Sequence, residues 1–256
     1  MGIGKTKRER RRELKAAVRR ITAVLIVGAV IVGAMYGYNY LTTSARFAVS
    51  SVEFAGLSRV QDESLERSLS DLVGHNLFLA PLESYEARLE MHPRVAAVRL
   101  RRVLPNRVVC AVDEREPVAL VFTDRYLEVA QDGMVMADDD FTALLDLPVI
   151  TGLSRGEAIP GEISDSPRLR RALVALRLCR EHGGSFAASI SEVRVGIEGV
   201  SIRSLDQGPV LVLGEGDYER RLRKYFMLKD TIGERDGDAR RIDLRFEDQV
   251  VLRGRI

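Results

Sequence analysis

The sequence predicts an α+β protein hung from a single N-terminal transmembrane helix, and three observations carry that expectation. Ile21 to Tyr40 run for twenty residues without a charge, which at about 1.5 Å per residue covers roughly 30 Å, the thickness of a bilayer's hydrocarbon core. From Phe47 to Val112 the apolar pattern reads strand, helix, helix, strand, strand, the content of a small α+β domain. After Pro117 short strands recur between turn signals with two helical stretches among them. That spacing suits a mainly antiparallel β domain with both helices on one face.

The helix comes first. Tyr36, Tyr38 and Tyr40 crowd one end of the uncharged run, where amphipathic rings settle at the headgroup level. The other end is basic: Met1 to Arg20 hold nine Lys/Arg against Glu9 and Glu13, a net of +7. Positive flanks stay in the cytoplasm, so residues 1–20 are expected to form a cytoplasmic tail, residues 21–45 the helix and its exit, and the remainder an extracytoplasmic part. A cleaved signal peptide also starts basic, but its apolar region is about 7–15 residues long. This run is longer, and Thr43-Ser44-Ala45 is a passable cleavage site at best. Met1-Gly2-Ile3-Gly4-Lys5-Thr6 fits the loose myristoylation pattern, which a spanning helix makes redundant. Ala29, Gly33 and Gly37 fall at small-xxx-small spacing. That spacing lets two helices approach closely in a membrane, although glycine is also simply common in spanning helices.

Without the tail the chain has 30 basic and 35 acidic residues, a net of −5. An acidic outer part argues against a nucleic-acid partner, and topology with anionic headgroups accounts for the basic tail. About 210 residues remain beyond the helix, enough for two modest domains, read as 46–116 and 117–256. Cys110 shares a strand face with Val108 and Val112, and Cys179 a helix face with Ala172 and Leu176, so both read as small core hydrophobes. Whether the two meet in a disulfide stays open, because sequence says nothing about their separation.

In 46–116, Phe47 to Leu57 alternates loosely and stops at Gly56, a strand with a turn. Leu65, Leu69 and Leu72 follow at helical spacing, and Leu82, Tyr85 and Leu89 repeat it between Pro81 and Pro93. Val95 to Val103 and Arg107 to Val112 flank Leu104-Pro105-Asn106 as a hairpin. In 117–256, Val118 to Phe122, Tyr126 to Val129 and Met134 to Met136 read as strands, then Leu147 to Gly152 as an extended segment. Ser166-Pro167 is an N-cap followed by a first-turn proline, opening a helix that ends near Gly183-Gly184. Ile190 to Ile197, Val200 to Ser204 and Val210 to Leu213 are further strands, and Asp217 to Ile232 a second helix. Arg241 to Phe246 with Gln249 to Arg253 closes the sequence as a hairpin, though Glu247-Asp248 lacks the glycine that two-residue turns prefer.

Several of these segments carry a resemblance. Ser51-Val-Glu-Phe-Ala-Gly56, His92-Pro-Arg-Val95, Arg99-Leu-Arg-Arg-Val-Leu-Pro105 and Asp113-Glu-Arg-Glu-Pro-Val-Ala119 look like a POTRA domain of the FtsQ/DivIB cell-division family. Leu147-Pro-Val-Ile-Thr-Gly152 resembles that family's LP.l.G segment, and Ile242-Asp-Leu-Arg-Phe246 its vDLRY segment with Phe in place of Tyr. Basic tail, single anchor and membrane-proximal POTRA domain match the family's layout. The resemblance implies an inner-membrane, single-pass division protein at the septum, and a last strand region that binds FtsB, a partner of FtsL.

Catalytic chemistry is hard to find. His75, His92 and His182 sit in unrelated places without HxxxH spacing or a neighbouring Cys pair. Asp138-Asp139-Asp140 lacks the alternation, glycine and distal glutamate of a calcium loop. Gly214-Glu-Gly-Asp217 has two acids where a phosphate cradle would need none. The reading is therefore a non-enzymatic protein with no cofactor, metal or small-molecule substrate. What remains is binding. The last strand stops three residues before the sequence does, so an uncovered sheet edge is expected, with unpaired backbone groups that invite another strand. The alternative is an edge blunted by Arg253 and Arg255 or paired within the sheet. On the resemblance, the partner-binding residues are expected at Arg245, Phe246, Gln249, Val250, Val251, Leu252 and Arg253. The basic helix with Arg220, Arg221, Arg223 and Lys224 is a second candidate surface, although such a run is usually a solvated face. The expected function is a divisome scaffold linking FtsB- and FtsL-like proteins to earlier components. A POTRA-bearing protein for outer-membrane assembly or secretion is the alternative within that class, and a membrane-tethered enzyme the alternative outside it.

Overall fold

A computed structural model describes residues 7–57, 62–136, 146–205, 208–235 and 239–254. It divides into two compact units, Met1–Leu89 with Val98–Val112, and Glu90–Ala97 with Asp113–Ile256. Asp138, Asp139, Asp140 and Arg255 lie outside the described residues, as does the myristoylation pattern at Met1 to Thr6.

The first unit begins with α1 (Lys7–Thr43), in which Val18–Thr43 is a 26-residue stretch of mean hydropathy 2.0, none of it buried. A single 3-10 turn, Ala45–Phe47, ends the helix, with the Ser44 hydroxyl accepting a hydrogen bond from Arg46 N. The segment expected as strand from Phe47 divides here. Val49 donates to His75 O and Leu77 to Phe47 O, so residues 47–49 bond to a later loop, and β1 is the shorter Ser51–Ala55. Next come α2 (Asp62–Leu69), a 3-10 turn, α3 (Leu82–Glu90), β2 (Val95–Val103) and β3 (Arg107–Glu114). That is the expected β-α-α-β-β order, in a three-stranded sheet ordered β1-β3-β2 with β1 parallel to β3. Leu82, Tyr85 and Leu89 are buried at helical spacing, as are Leu65, Leu69 and Leu72.

The second unit is built on an eight-stranded sheet ordered β11-β10-β9-β8-β7-β6-β4-β5. Its strands are β4 (Pro117–Phe122), β5 (Tyr126–Ala130), β6 (Val149–Thr151), β7 (Ile190–Gly196), β8 (Gly199–Ser204), β9 (Val210–Gly214), β10 (Arg241–Asp243) and β11 (Val251–Arg253). Among the described residues antiparallel pairings outnumber parallel ones four to three, so the sheet is more mixed than the strand spacing suggested. Met134–Met136 makes isolated bridges to Val129 and Ile163 in place of a full strand. The parallel pairs explain the helices. α4 (Pro167–His182) connects β6 to its parallel neighbour β7, and α6 (Tyr218–Arg235) connects β9 to its parallel neighbour β10. Both crossovers step the same way along the sheet from strands of the same direction, so right-handed connections put both helices on one face. There Leu169, Leu173 and Leu176 of α4 and Leu222 and Tyr225 of α6 form one core with Ile150, Val193, Ile202, Leu211 and Ile242. The short α5 (Ser185–Ala188) adds Phe186 at its margin. Ser166 caps α4 by accepting from Leu169 N, as its position before Pro167 suggested.

Cys110 and Cys179 are buried free thiols in separate units. Burial, aided by Glu86, pushes Cys110 up to about 11, and burial pushes Cys179 up to about 12.

Gly152 is among the glycines held both by backbone angle and by a close approach. Gly152, just past β6, has φ +88°, and a Cβ there would stand 2.3 Å from Val195 O. Arg168 of α4 bonds both Gly152 O and Val195 O, tying the two backbones together. Gly152→Ala is expected to destabilise residues 46–256 by more than the roughly 1–2 kcal/mol that a left-handed backbone alone costs a side chain. An unchanged urea midpoint at constant m-value would show that the approach relaxes freely.

Candidate partner-binding edge

β11 stands at one end of the eight-stranded order, so one of its two long sides has no strand beside it among the described residues. Its inner side pairs with β10 antiparallel, Arg241↔Arg253, Ile242↔Leu252 and Asp243↔Val251. Which backbone groups face outward follows from the far side of β10. There Val210 donates to Arg240 O and Leu244 donates to Val212 O, in a parallel ladder that directs the N–H and C=O of Ile242 toward β9. Backbone groups alternate along a strand, so Arg241 and Asp243 direct theirs toward β11, and Val251 and Arg253 answer them. The N–H and C=O of Leu252 therefore point away from the sheet.

The side chains alternate as well. Leu252 lies opposite buried Ile242 and, with Val250, packs on the helix-side core, while Val251 and Arg253 share the other face with Asp243 and Arg241. Of the expected binding residues, Phe246, Gln249 and Arg253 are exposed, and Phe246 keeps 44% of its surface. Arg245 is half-buried and already engaged. Its Nε and Nη2 reach the Asp243 carboxylate at 2.9 and 2.6 Å, and Glu198 Oε1 lies 3.7 Å away. Asp243 is 2% exposed, and the hydrogen bonds from Arg245 hold its carboxyl below the ordinary range.

The hairpin's turn differs from the tight one expected between Phe246 and Gln249. β10 stops at Asp243, and residues 244–250 make a loop that α6 holds. Lys224 Nζ donates to the carbonyls of Phe246 (3.1 Å), Glu247 (2.8 Å) and Gln249 (3.1 Å). Arg220 pairs with Glu247 at 2.9 Å, and Arg221 donates to Leu213 O and Arg245 O. A lysine with three donors does the work that a glycine turn would otherwise do. The basic run of α6 is thus largely turned inward on the loop, while Arg223 pairs along the helix with Glu219 at 2.6 Å and Arg220 also lies 4.0 Å from Asp217. Sequence reading missed Lys224 as a turn organiser, because the partners stand 22–25 positions away.

Elsewhere the candidates stay apart. Among the described residues no three His, Cys, Asp or Glu gather as a metal group would require. His92 Nδ1 accepts from Arg94 N within its own turn. Along α1, Cβ atoms added at Gly33 and Gly37 would meet nothing of this chain within 4 Å, and the surrounding Val30, Ile31 and Val32 are exposed.

Residues 47–115 match the family model described as POTRA domain, FtsQ-type, and residues 119–245 the model described as Cell division protein FtsQ/DivIB, C-terminal. The second match ends at Arg245, within the loop that leads to β11. Among curated proteins, a cell division protein FtsQ of Myxococcus fulvus is 28% identical over 250 residues, covering 92% of this chain and 88% of that protein. One from an Anaeromyxobacter species, strain K, is 31% identical over 231 residues, covering 89% and 79%. One from Syntrophotalea carbinolica is 26% identical over 248 residues, covering 95% and 86%.

Proposed function

We propose that this chain, which belongs to the FtsQ/DivIB family of cell-division proteins, is a non-enzymatic single-pass divisome scaffold that captures partner proteins by strand addition at β11. α1 would anchor it in the cytoplasmic membrane, with the basic tail inside and both folded parts outside at the septum. FtsB- and FtsL-like proteins are the partners, linked through this chain to earlier-arriving components. The observation that carries the reading is the end position of β11 with Leu252 presenting its backbone outward. A strand laid there would gain hydrogen bonds at Leu252 and continue the sheet beside Phe246. In the membrane, Ala29, Gly33 and Gly37 form the face on which α1 would pair with another helix.

The test separates backbone from side chain at one residue. Residues 46–256 are used in a pull-down with the extracytoplasmic parts of FtsB and FtsL, beside Leu252→Pro and Leu252→Ala. Both variants lose the side chain, and proline alone also removes the outward donor while leaving the inner ladder intact. Leu252→Pro is expected to bind about tenfold more weakly than Leu252→Ala, the worth of one hydrogen bond at an edge. Equal binding by two folded variants would move the interface away from β11. Failure of the unmutated fragment to bind would remove the named partners.

A further inference from the structure

A second apolar feature lies in the first unit, outside the edge just described. Leu72 to Leu82 (LVGHNLFLAPL) is an eleven-residue stretch without Asp, Glu, Lys or Arg. It connects the 3-10 turn after α2 to α3, and its side chains divide sharply. Leu72, Leu77 and Ala80 are buried, whereas Val73, Phe78 and Leu79 are exposed by 50%, 39% and 57%.

Phe78 and Leu79 are held outward by a built framework. Asn76 Oδ1 accepts from Phe78 N at 2.9 Å, and Asn76 O accepts from both Leu79 N and Ala80 N. Arg102 donates to Leu77 O and Ala80 O at 2.8 and 2.9 Å, clamping the loop from β2. With its carbonyls and amides tied this way, the loop cannot fold Phe78 and Leu79 into the core without breaking charge-assisted bonds.

Its position relative to the anchor is also fixed. Asn76 Nδ2 donates to Leu41 O at 2.8 Å, in the last turn of α1. Tyr40 packs edge-on against Phe47 with centroids 6.1 Å apart, and Phe47 against Phe78 at 5.3 Å. Leu41 is the first residue past the Ile21–Tyr40 run. If that run fills the hydrocarbon core, each further residue adds about 1.5 Å, so Leu41 stands at the boundary with the headgroups. The loop bonded to it stands there too.

We propose that residues 72–82 form a second membrane contact, with Val73, Phe78 and Leu79 inserted into the lipid interface beside the exit of α1. This rests on α1 being a membrane anchor. The occupant of the exposed apolar surface is lipid because lipid is what surrounds the last turn of the helix to which the loop is bonded. Two points of attachment would fix the tilt of the membrane-proximal domain, where a single helix followed by a flexible exit would let it swing.

The chain has no tryptophan, so single-tryptophan reporters are clean. Full-length chain carrying Leu79→Trp is reconstituted into phosphatidylcholine vesicles with lipids brominated near the headgroup or near the bilayer centre. Ile31→Trp reports the anchor, and Ile197→Trp, fully exposed at the β7–β8 turn, reports water. Val73→Trp gives an independent position should Leu79→Trp fold poorly. The expected result is quenching of Ile31→Trp by centre bromines, quenching of Leu79→Trp by headgroup-proximal bromines at a depth of roughly 5–10 Å, and no quenching of Ile197→Trp. Emission from Leu79→Trp and Val73→Trp matching Ile197→Trp, with Ile31→Trp still quenched, would overturn the loop contact and leave the anchor standing. An unquenched Ile31→Trp would remove the anchor and the inference with it.

Discussion

Arg94→Met is expected to destabilise residues 46–256 by about 3–5 kcal/mol, the largest single-residue effect outside the apolar core. Arg94 Nη1 lies 2.8 Å from Glu128 Oε2, and the two side chains keep 5% and 1% of their surface. Two charges brought out of water at that burial attract strongly but also lose their hydration. Removing one leaves the other with the hydration loss and without this compensation. The cost of the substitution therefore exceeds the net worth of the pair. The companion result follows from the same physics: Arg94→Met with Glu128→Leu is expected to recover most of the loss, because neither charge then remains. Urea unfolding of the single and double variants checks both. A single variant costing under about 1 kcal/mol would mean that the carboxylate is solvated or rebonded on losing Arg94.

The segment that holds this ion pair is fastened by a second arginine as well. Arg94 belongs to His92-Pro-Arg-Val95, and Arg115 to Asp113-Glu-Arg-Glu-Pro-Val-Ala119. Arg115 Nη1 donates to Pro93 O and Val95 O at 2.7 Å each, and its Nε to Asp132 at 2.9 Å. Two arginines together fasten one short segment, Pro93 to Val95.

How much was legible depended on range. Leu82, Tyr85 and Leu89 announced α3 by spacing, and Ser166-Pro167 announced the start of α4 by local capping chemistry. Those are signals within one or two turns, and the chain carries them openly. The order of strands was not legible. β6 is three residues long and inserts between β4 and β7, parallel to both, and no local pattern states which strand a three-residue segment will pair with. The strand-helix-strand spacing around α4 and α6 was available as a signal for parallel pairs, and the short-strand rhythm hid it. At the candidate edge, the end position of β11 was readable. Its support was not: Lys224 acts across more than twenty residues, and a long flexible cation has no sequence signature that distinguishes a solvated charge from a turn organiser.

Asp243→Asn is the second large effect expected, about 1.5–3 kcal/mol at neutral pH, and it bears on the same edge. Asp243 is buried between Arg245, which bonds both carboxylate oxygens, and Arg241, its neighbour along the strand face. These cations hold the folded carboxyl below the roughly 3.9 of an unfolded aspartate. The folded state thus binds its proton less readily than the unfolded chain does. Stability from this group is full above the unfolded value and is lost as pH falls through the folded one. The wild type is therefore expected to exceed Asp243→Asn in urea midpoint at pH 7, with the two curves converging below about pH 4. Glu198 is held low by Arg241 and raised by the nearby Asp243 charge, so losing that charge lowers Glu198 further in the variant and offsets part of the difference. Because Asp243 pairs with Val251 and anchors Arg245 beside the loop, the variant is also expected to capture partners less well at neutral pH. A gap between the two midpoints that persists undiminished at pH 3 would mean the carboxylate acts through packing and not through its charge.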